Sequence, residues 1–466
     1  MRDYNIAAAP LTFLSVLDIQ MKEEVGEHGV MTITGYIEDE AEEEYLWLLT
    51  GDVWEKIEKV GKDGERETLF WGIVTDFSID AGYHQKQMTL KLATGSWLMD
   101  QEKHLRSYQD SSVTYEQIFR LISRGYPDAD IIFNSSLEDA AGNLVLQYYE
   151  TDWQFLRRLA SRKHKFLTAE SRIKGTKFTY DLPVGQRVEF PEHQKYTVKK
   201  ELDEYRRKKN SGLSPLYEYD FLVYIVQCRD NHRIGDYMTI MGREWYIYKI
   251  QSSFIGGEML HDCYLKLKRG LDTLENWQSE MTGASLDGIV QKVKEDRVQV
   301  VILQDENKQQ DINIWYPYAT VYSTPDGTGW YCMPEPGDRV RLTIPGKEEK
   351  EAFVISSVHM ETDSADRKDS NIKSFKSKYQ KEVRFTPDSI VITNNQGTKI
   401  ELTDKEGIHI VSANSVMLEA MEDVTILSDT GSLIVAGTSS VNVQQGESAI
   451  NLNKGIAFTG GELKIQ

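Results

Sequence analysis

From Ile400 to Ile450 the chain repeats one short pattern, two apolar residues with a single residue between them, at steps of 8, 8, 8, 9, 8 and 9. The pairs are Ile400/Leu402, Ile408/Ile410, Val416/Leu418, Val424/Ile426, Leu433/Val435, Val441/Val443 and Ile450/Leu452. Ile390/Ile392 precede them, and Ile456/Phe458 and Leu463/Ile465 follow. Alternation inside each pair marks a strand with one buried face. Gly, Asn, Asp and Ser in the intervals let the chain turn after each strand. Two side chains per repeat are too few to bury a core within one chain. The period does not fit the roughly six-residue rungs of a single-chain β-helix. Three chains wound together, each forming one wall of a prism, would bury every pair and leave no strand edge open. The pairs are therefore expected to form a trimerisation core over residues 386–466. The alternative is an ordinary sandwich of short strands.

Composition changes where the repeats begin. All nine Trp lie at or before Trp330, and after Pro387 Phe458 is the only aromatic. Upstream, four apolar runs read as strands: Asp287 to Val293, Arg297 to Leu303, Gly337 to Ile344 and Ala352 to Val358. Residues 286–358 thus suit a small OB-type barrel. Residues 1–275 mix strands with helices and suit two β-barrels with helices inserted. Strand runs there include Val30–Ile37, Thr68–Phe77, Met88–Leu92, Tyr217–Val226 and Tyr237–Ile250. Thr114-Tyr-Glu-Gln117 and Thr151-Asp-Trp-Gln154 are capping boxes. The second leads a helix with Trp153, Leu156, Leu159 and Ala160 on one face. Residues 276–285 and 359–385 read as linkers.

Little in the sequence points to chemistry. The net charge of −19 excludes wholesale wrapping of nucleic acid, which needs a basic stripe. The six acids of Glu38–Glu44 and the six bases of Lys199–Lys209 read as solvated faces or loops. The nine His are scattered, and no metal spacing, GxSxG elbow or phosphate loop occurs. No catalytic residue, metal site or cofactor is expected. His409, between Ile408 and Ile410, should face outward. Cys228, Cys263 and Cys332 read as reduced structural thiols, the alternative being that one is an incidental exposed thiol. The order of charged, small and apolar residues at the N-terminus is wrong for a signal peptide, and no apolar run is long enough to span a membrane.

Three motifs carry a resemblance. Glu150-Thr-Asp-Trp-Gln-Phe-Leu-Arg-Arg-Leu-Ala-Ser-Arg162 resembles the hub-domain helix of VgrG-type spikes and baseplate hub proteins. Trp315-Tyr-Pro-Tyr-Ala319, Gly329-Trp-Tyr331, Pro334-Glu-Pro-Gly-Asp-Arg-Val340 and Val354-Ile-Ser-Ser-Val358 resemble the OB domain of that family. The repeats after residue 386 look like its trimeric β-helical needle. The chain departs from the pattern in lacking regular valine–glycine wording in the needle. It also carries a charged loop, Pro345-Gly-Lys-Glu-Glu-Lys350, where relatives often have a shorter turn.

The resemblance implies a homotrimeric spike of a contractile, phage-tail-like injection or type VI secretion machine. It implies contacts with inner-tube and baseplate proteins and a transient passage through the target envelope. Such a protein is assembled in the cytoplasm and ejected on firing. Phe458, Leu463 and Ile465, in the final rungs, are expected to bind a PAAR-like tip protein or an effector. The interval after the OB domain is too short for a lysozyme domain, and no toxin follows the last repeat. A carbohydrate-acting tailspike or an adhesin fibre would be the competing readings.

Overall fold

The computed structural model describes residues 4–82, 85–190, 195–308, 311–359, 364, 367–452 and 454–459. The chain is mainly β, with 42% strand and 13% helix. It divides into two compact units, residues 1–359 and 360–466.

Unit one begins with β1 (Tyr4–Ala9), β2 (Ser15–Glu24), β3 (Val30–Ile37), α1 (Glu42–Leu48), β4 (Trp54–Gly61), β5 (Arg66–Ala81) and β6 (Lys86–Ala93). Period-2 alternation drives this barrel: in β3, Met31, Ile33 and Ile37 are buried while the Thr residues between them are not. These side chains join Leu69, Phe70, Leu90 and Leu92 in one core. The acidic run does not lie in an open loop throughout: its second half starts α1, with carboxylates in the first turn where the helix dipole favours them.

A mixed lobe follows: β7 (Lys103–Tyr108), α2 (Tyr115–Ser123), β8 (Asp130–Phe133), β9 (Val145–Thr151), α3 (Asp152–Ser161), β10 (Leu167–Ala169) and β11 (Lys177–Tyr180). Both helices start at the expected boxes. Thr114 Oγ1 accepts from Gln117 N at 3.2 Å, and Thr151 Oγ1 accepts from Gln154 N at 3.2 Å. All four residues foreseen on the α3 face are fully buried, with Phe119, Phe178 and Tyr180 around them.

The second barrel holds β12 (Arg187–Val188), β13 (Tyr196–Lys200), α4 (Leu202–Asn210), β14 (Leu222–Cys228), β15 (Tyr237–Ile240), β16 (Arg243–Ile255) and β17 (Glu258–Lys266). Two expected strands are corrected here. Tyr217–Phe221 opens as a 3-10 turn, because the Asp220 carboxylate accepts from Tyr217 N. Tyr237–Ile250 is broken by a hairpin at Met241 and Gly242, both with positive φ, the two-residue turn that matches strand twist. The basic run is likewise not a loop: its second half is α4, held by buried Tyr205.

One twelve-stranded sheet runs through both barrels, in the path β1-β4-β5-β6-β3-β2-β16-β17-β14-β13. The β16–β17 hairpin is long enough to serve two cores. Its base places Trp245, Ile247, Cys263 and Leu265 in the second core, and its tip places Phe254 and Met259 in the first.

Residues 285–355 form a five-stranded barrel of β18 (Ser285–Lys294), β19 (Arg297–Ile302), β20 (Tyr316–Pro317), β21 (Arg339–Thr343) and β22 (Phe353–Ile355). The order is β20-β19-β18-β21-β22, and Tyr318 pairs with Val354 to close it. Met281, from the stretch read as a linker, is fully buried in its core.

Unit two carries β23 (Lys373–Lys376), β24 (Glu382–Phe385), β25 (Ser389–Thr393), β26 (Lys399–Thr403) and β27 (Gly407–Val411), an antiparallel meander. A second meander follows, β28 (Val441–Gln445), β29 (Ser448–Leu452) and β30 (Ile456–Thr459). Two of these strands fall inside 359–385, so the sheet starts before the composition change at residue 386. Residues 412–440 carry the repeat in sequence but form no ladder among the described residues.

Candidate functional site

The repeat pairs fall into register across the first meander. Ile390 lies opposite Leu402, and Leu402 opposite Ile408; Ile392 lies opposite Ile400, and Ile400 opposite Ile410. Facing residues of an antiparallel ladder project to the same side, so six apolar side chains share one face in two rows. Phe385 and Val383 extend the rows onto β24. All six of the first set are exposed, at 39–68%. On the other face Val391 is buried, and His409 lies opposite Glu401, on the side away from the isoleucines as expected.

The second meander repeats the arrangement, with Val441 opposite Leu452 and Val443 opposite Ile450. Val416, Leu418, Val424, Ile426, Leu433 and Val435, between the meanders, are 57–73% exposed. Phe458 lies in β30 opposite Ile450. Leu463 and Ile465 lie outside the described residues.

The joint between the mixed lobe and the small barrel is built from buried charge. Arg158 lies on α3, and Arg162 stands one turn on at its C-cap. Arg158 donates to Glu150 at 2.6 Å and to Glu349 at 2.9 Å, and Arg162 donates to both Glu349 oxygens at 2.6 Å. Burial would raise the Glu349 carboxyl, but the two guanidinium groups outweigh it and hold the group below its usual range. Lys347, in the same loop, lies over the Trp277 ring at 4.3 Å. The charged loop that departs from the family pattern is thus the anchor of this joint. A second contact joins β7 to the barrel: Asp305 accepts from Ser107 N at 3.0 Å, and Glu306 accepts from Leu105 N at 3.1 Å and from Arg106 Nε at 3.2 Å. Sequence reading missed both, since a pair almost two hundred residues apart leaves no local pattern.

Two constellations imitate catalytic ones. His28 Nδ1 lies 2.8 Å from Ser96 Oγ, and its Nε2 lies 3.4 Å from Asp100. Ser96 is fully buried, and Asp100 also accepts from the Thr151 hydroxyl, the N-cap of α3. A serine with no access to solvent cannot attack a substrate, so this triad ties the first barrel to the helix. Ser252 and His261 face each other across β16 and β17 at 2.7 Å, both buried. Burial, helped by the Arg172 charge, pushes His261 down to about 4.

Cys228 and Cys263 are buried and free. Contact with the Cys263 thiol, with His232 helping, lowers the Cys228 thiol to about 6, while Cys263 is raised. Cys332 is exposed, so the structural-thiol expectation holds only for the other two. Among the described residues no group of three His, Cys, Asp or Glu is placed to hold a metal. Among them, too, no helix is long and apolar enough to cross a membrane.

Unit one thus combines two β-barrels, a mixed lobe and a five-stranded barrel, and unit two carries the exposed apolar rows. Residues 57–177, from β4 through β11, match the family described as phage tail baseplate hub (GPD). The E. coli c3393 protein is a type VI secretion component described as similar to the T4 tail proteins gp27 and gp5. It shares the fold at a TM-score of 0.53 and 13% identity, over 75% of this chain and 99% of that one. A chain of the half-lidded Francisella PdpA-VgrG complex aligns at a TM-score of 0.55 and 10% identity, covering 88% of each chain. The lidless PdpA-VgrG complex gives 0.52 and 10%, over 85% of this chain and 93% of that one. The fold is therefore that of VgrG-type spikes, and residues 57–177 within it match the hub family model. No curated protein matches the chain by sequence.

Proposed function

We propose that three copies of this chain form the hub and needle of a contractile injection machine, and that the protein acts mechanically rather than as an enzyme. The observation that carries this reading is the pair of apolar rows in unit two, in register over successive strands and left uncovered by their own chain. Six large aliphatic side chains half in water are a standing cost of about 1 kcal/mol or more each, which association removes. Two further copies, presenting identical rows, are the natural cover. Residues 412–440 then gain the strand partners that a single chain does not provide. On this reading residues 1–275 are the hub, 286–358 the OB collar and 386–466 the needle.

The hub would sit at the end of the inner tube, within the baseplate, and sheath contraction would drive the needle through the target envelope. The needle segment holds four Lys and ten Asp or Glu and almost no aromatics, a surface suited to sliding past lipid rather than anchoring in it. The solved Francisella VgrG is in complex with PdpA. By analogy the last rungs of this chain, with Phe458, Leu463 and Ile465, would receive a tip protein or an effector.

Native mass of the full chain and of a chain ending at residue 385 tests the proposal. A mass near three times 53.5 kDa is expected for the full chain. A full-length monomer at micromolar concentration would overturn the reading.

A further inference from the structure

The first barrel carries an apolar tip that no described residue of its own chain covers. Tyr45 turns inward from α1, and its hydroxyl accepts from Thr12 N at 3.1 Å. With Tyr45 fixed, the next three residues sweep the outer arc of the helix. Leu46, Trp47 and Leu48 are all exposed, Trp47 at 77%. Around them stand the exposed carboxylates of Glu38, Asp39, Glu40, Glu43 and Glu44.

The second barrel offers the complementary surface. Strand β13 ends the strand order of the large sheet, so its outer edge is unpaired among the described residues, and all five of its residues are exposed. Tyr196 and Val198 supply apolar surface there. Lys195, Lys199 and Lys200, with Arg206, Arg207 and Lys209 from α4, supply six exposed cations. Some of these cations pair locally, Lys199 with Glu201 and Lys200 with Glu218. Among the described residues no ion pair joins α1 to this segment.

We propose that α1 of one copy docks on the β13–α4 edge of the next copy. Leu46, Trp47 and Leu48 cover Tyr196 and Val198, and the carboxylate rim meets the cationic rim. The contact is heterologous, one surface against a different one, and such contacts close into a ring when the rotation allows. A self-matched contact of α1 on α1 would set five carboxylates against five, which is repulsive. In a chain of net charge −19, a run of six exposed cations is an unusual attractor for another copy's acids. The proposal rests on the trimer reading and adds to it which hub surfaces meet.

The test uses the full chain, refolded from an equal mixture of 15N-labelled and unlabelled protein and treated with a zero-length carbodiimide. Mixed-isotope crosslinks from Glu43 or Glu44 to Lys195, Lys199 or Lys209 are expected. Glu43→Lys with Glu44→Lys should cut the remaining crosslinks from Glu38, Asp39 and Glu40 roughly tenfold, as should Lys199→Glu with Lys200→Glu. Combining the four substitutions should restore them. A trimer of normal mass without such crosslinks, or without rescue in the swapped variant, overturns this proposal and leaves the trimer standing. A monomer overturns both.

Discussion

Arg158 and Glu349 stand 191 positions apart in the chain and meet as a buried ion pair at 2.9 Å, with Glu150 and Arg162 completing the cluster. Each group is tolerable in the interior only because the others are present. Removing the charge of one member strands the rest. Glu349→Gln should therefore cost about 3 kcal/mol in unit one, read as a lower urea midpoint by tryptophan fluorescence. A loss below about 1 kcal/mol would show that the joint is held by packing alone.

Glu55 is fully buried, with one carboxylate oxygen accepting from Leu11 N at 3.1 Å. Burial pushes its carboxyl up to about 8, against a modest lowering by that backbone donor. The folded state then binds the proton more tightly than the unfolded one, so stability is full below about pH 4.5 and falls as pH rises toward 8. At about 1.4 kcal/mol per pKa unit the full loss is about 5 kcal/mol. Glu55→Gln should remove that decline. Urea midpoints at pH 5 and pH 8 check it: equal declines in the two proteins would clear Glu55 of the effect.

His261, in its buried pairing with Ser252, contributes on the acid side. With its folded value near 4 and an ordinary unfolded value near 6.5, the unfolded state takes up the proton first. Stability contributed by His261 is present above pH 6.5 and is lost between 6.5 and 4, by about 3 kcal/mol. An NMR titration of the ring should show no protonation at pH 5.5 in the folded protein; a midpoint near 6.5 would contradict the environment described.

Leu402 lies in one apolar row of unit two, and its chain neighbour Glu401 points to the opposite face. Leu402→Lys should place a charge among the assembled rows and shift the native mass toward monomer. Glu401→Gln should leave the mass unchanged. Equal behaviour of the two variants would mean that the rows are not the contact.

The sequence announced what is local or periodic. The boxes at Thr114 and Thr151 start helices as written, because capping is a contact over three residues. The pairs at Ile400/Leu402 and Ile408/Ile410 lie on one face, because strand alternation alone puts them there. The hairpin at Met241–Gly242 escaped notice because only the second residue is a usual turn former, and the apolar run continues through it. The Arg158–Glu349 joint and the sheet shared by two barrels escaped because they depend on residues far apart in the chain. The loop from Pro345 to Lys350 was the one visible trace: charge where none was needed for a turn proved to be charge put to use inside.

The β16–β17 hairpin limits how the two barrels can be taken apart. With Phe254 and Met259 in the first core and Trp245 and Leu265 in the second, neither barrel owns all of its own interior. A fragment holding only residues 1–100 would carry a hole where the hairpin tip belongs, and a fragment beginning after it would expose that tip to water. The barrels are two rooms sharing one load-carrying wall. Exchanging a single barrel between chains of this fold therefore requires moving the hairpin with it, and the natural unit of recombination is the pair.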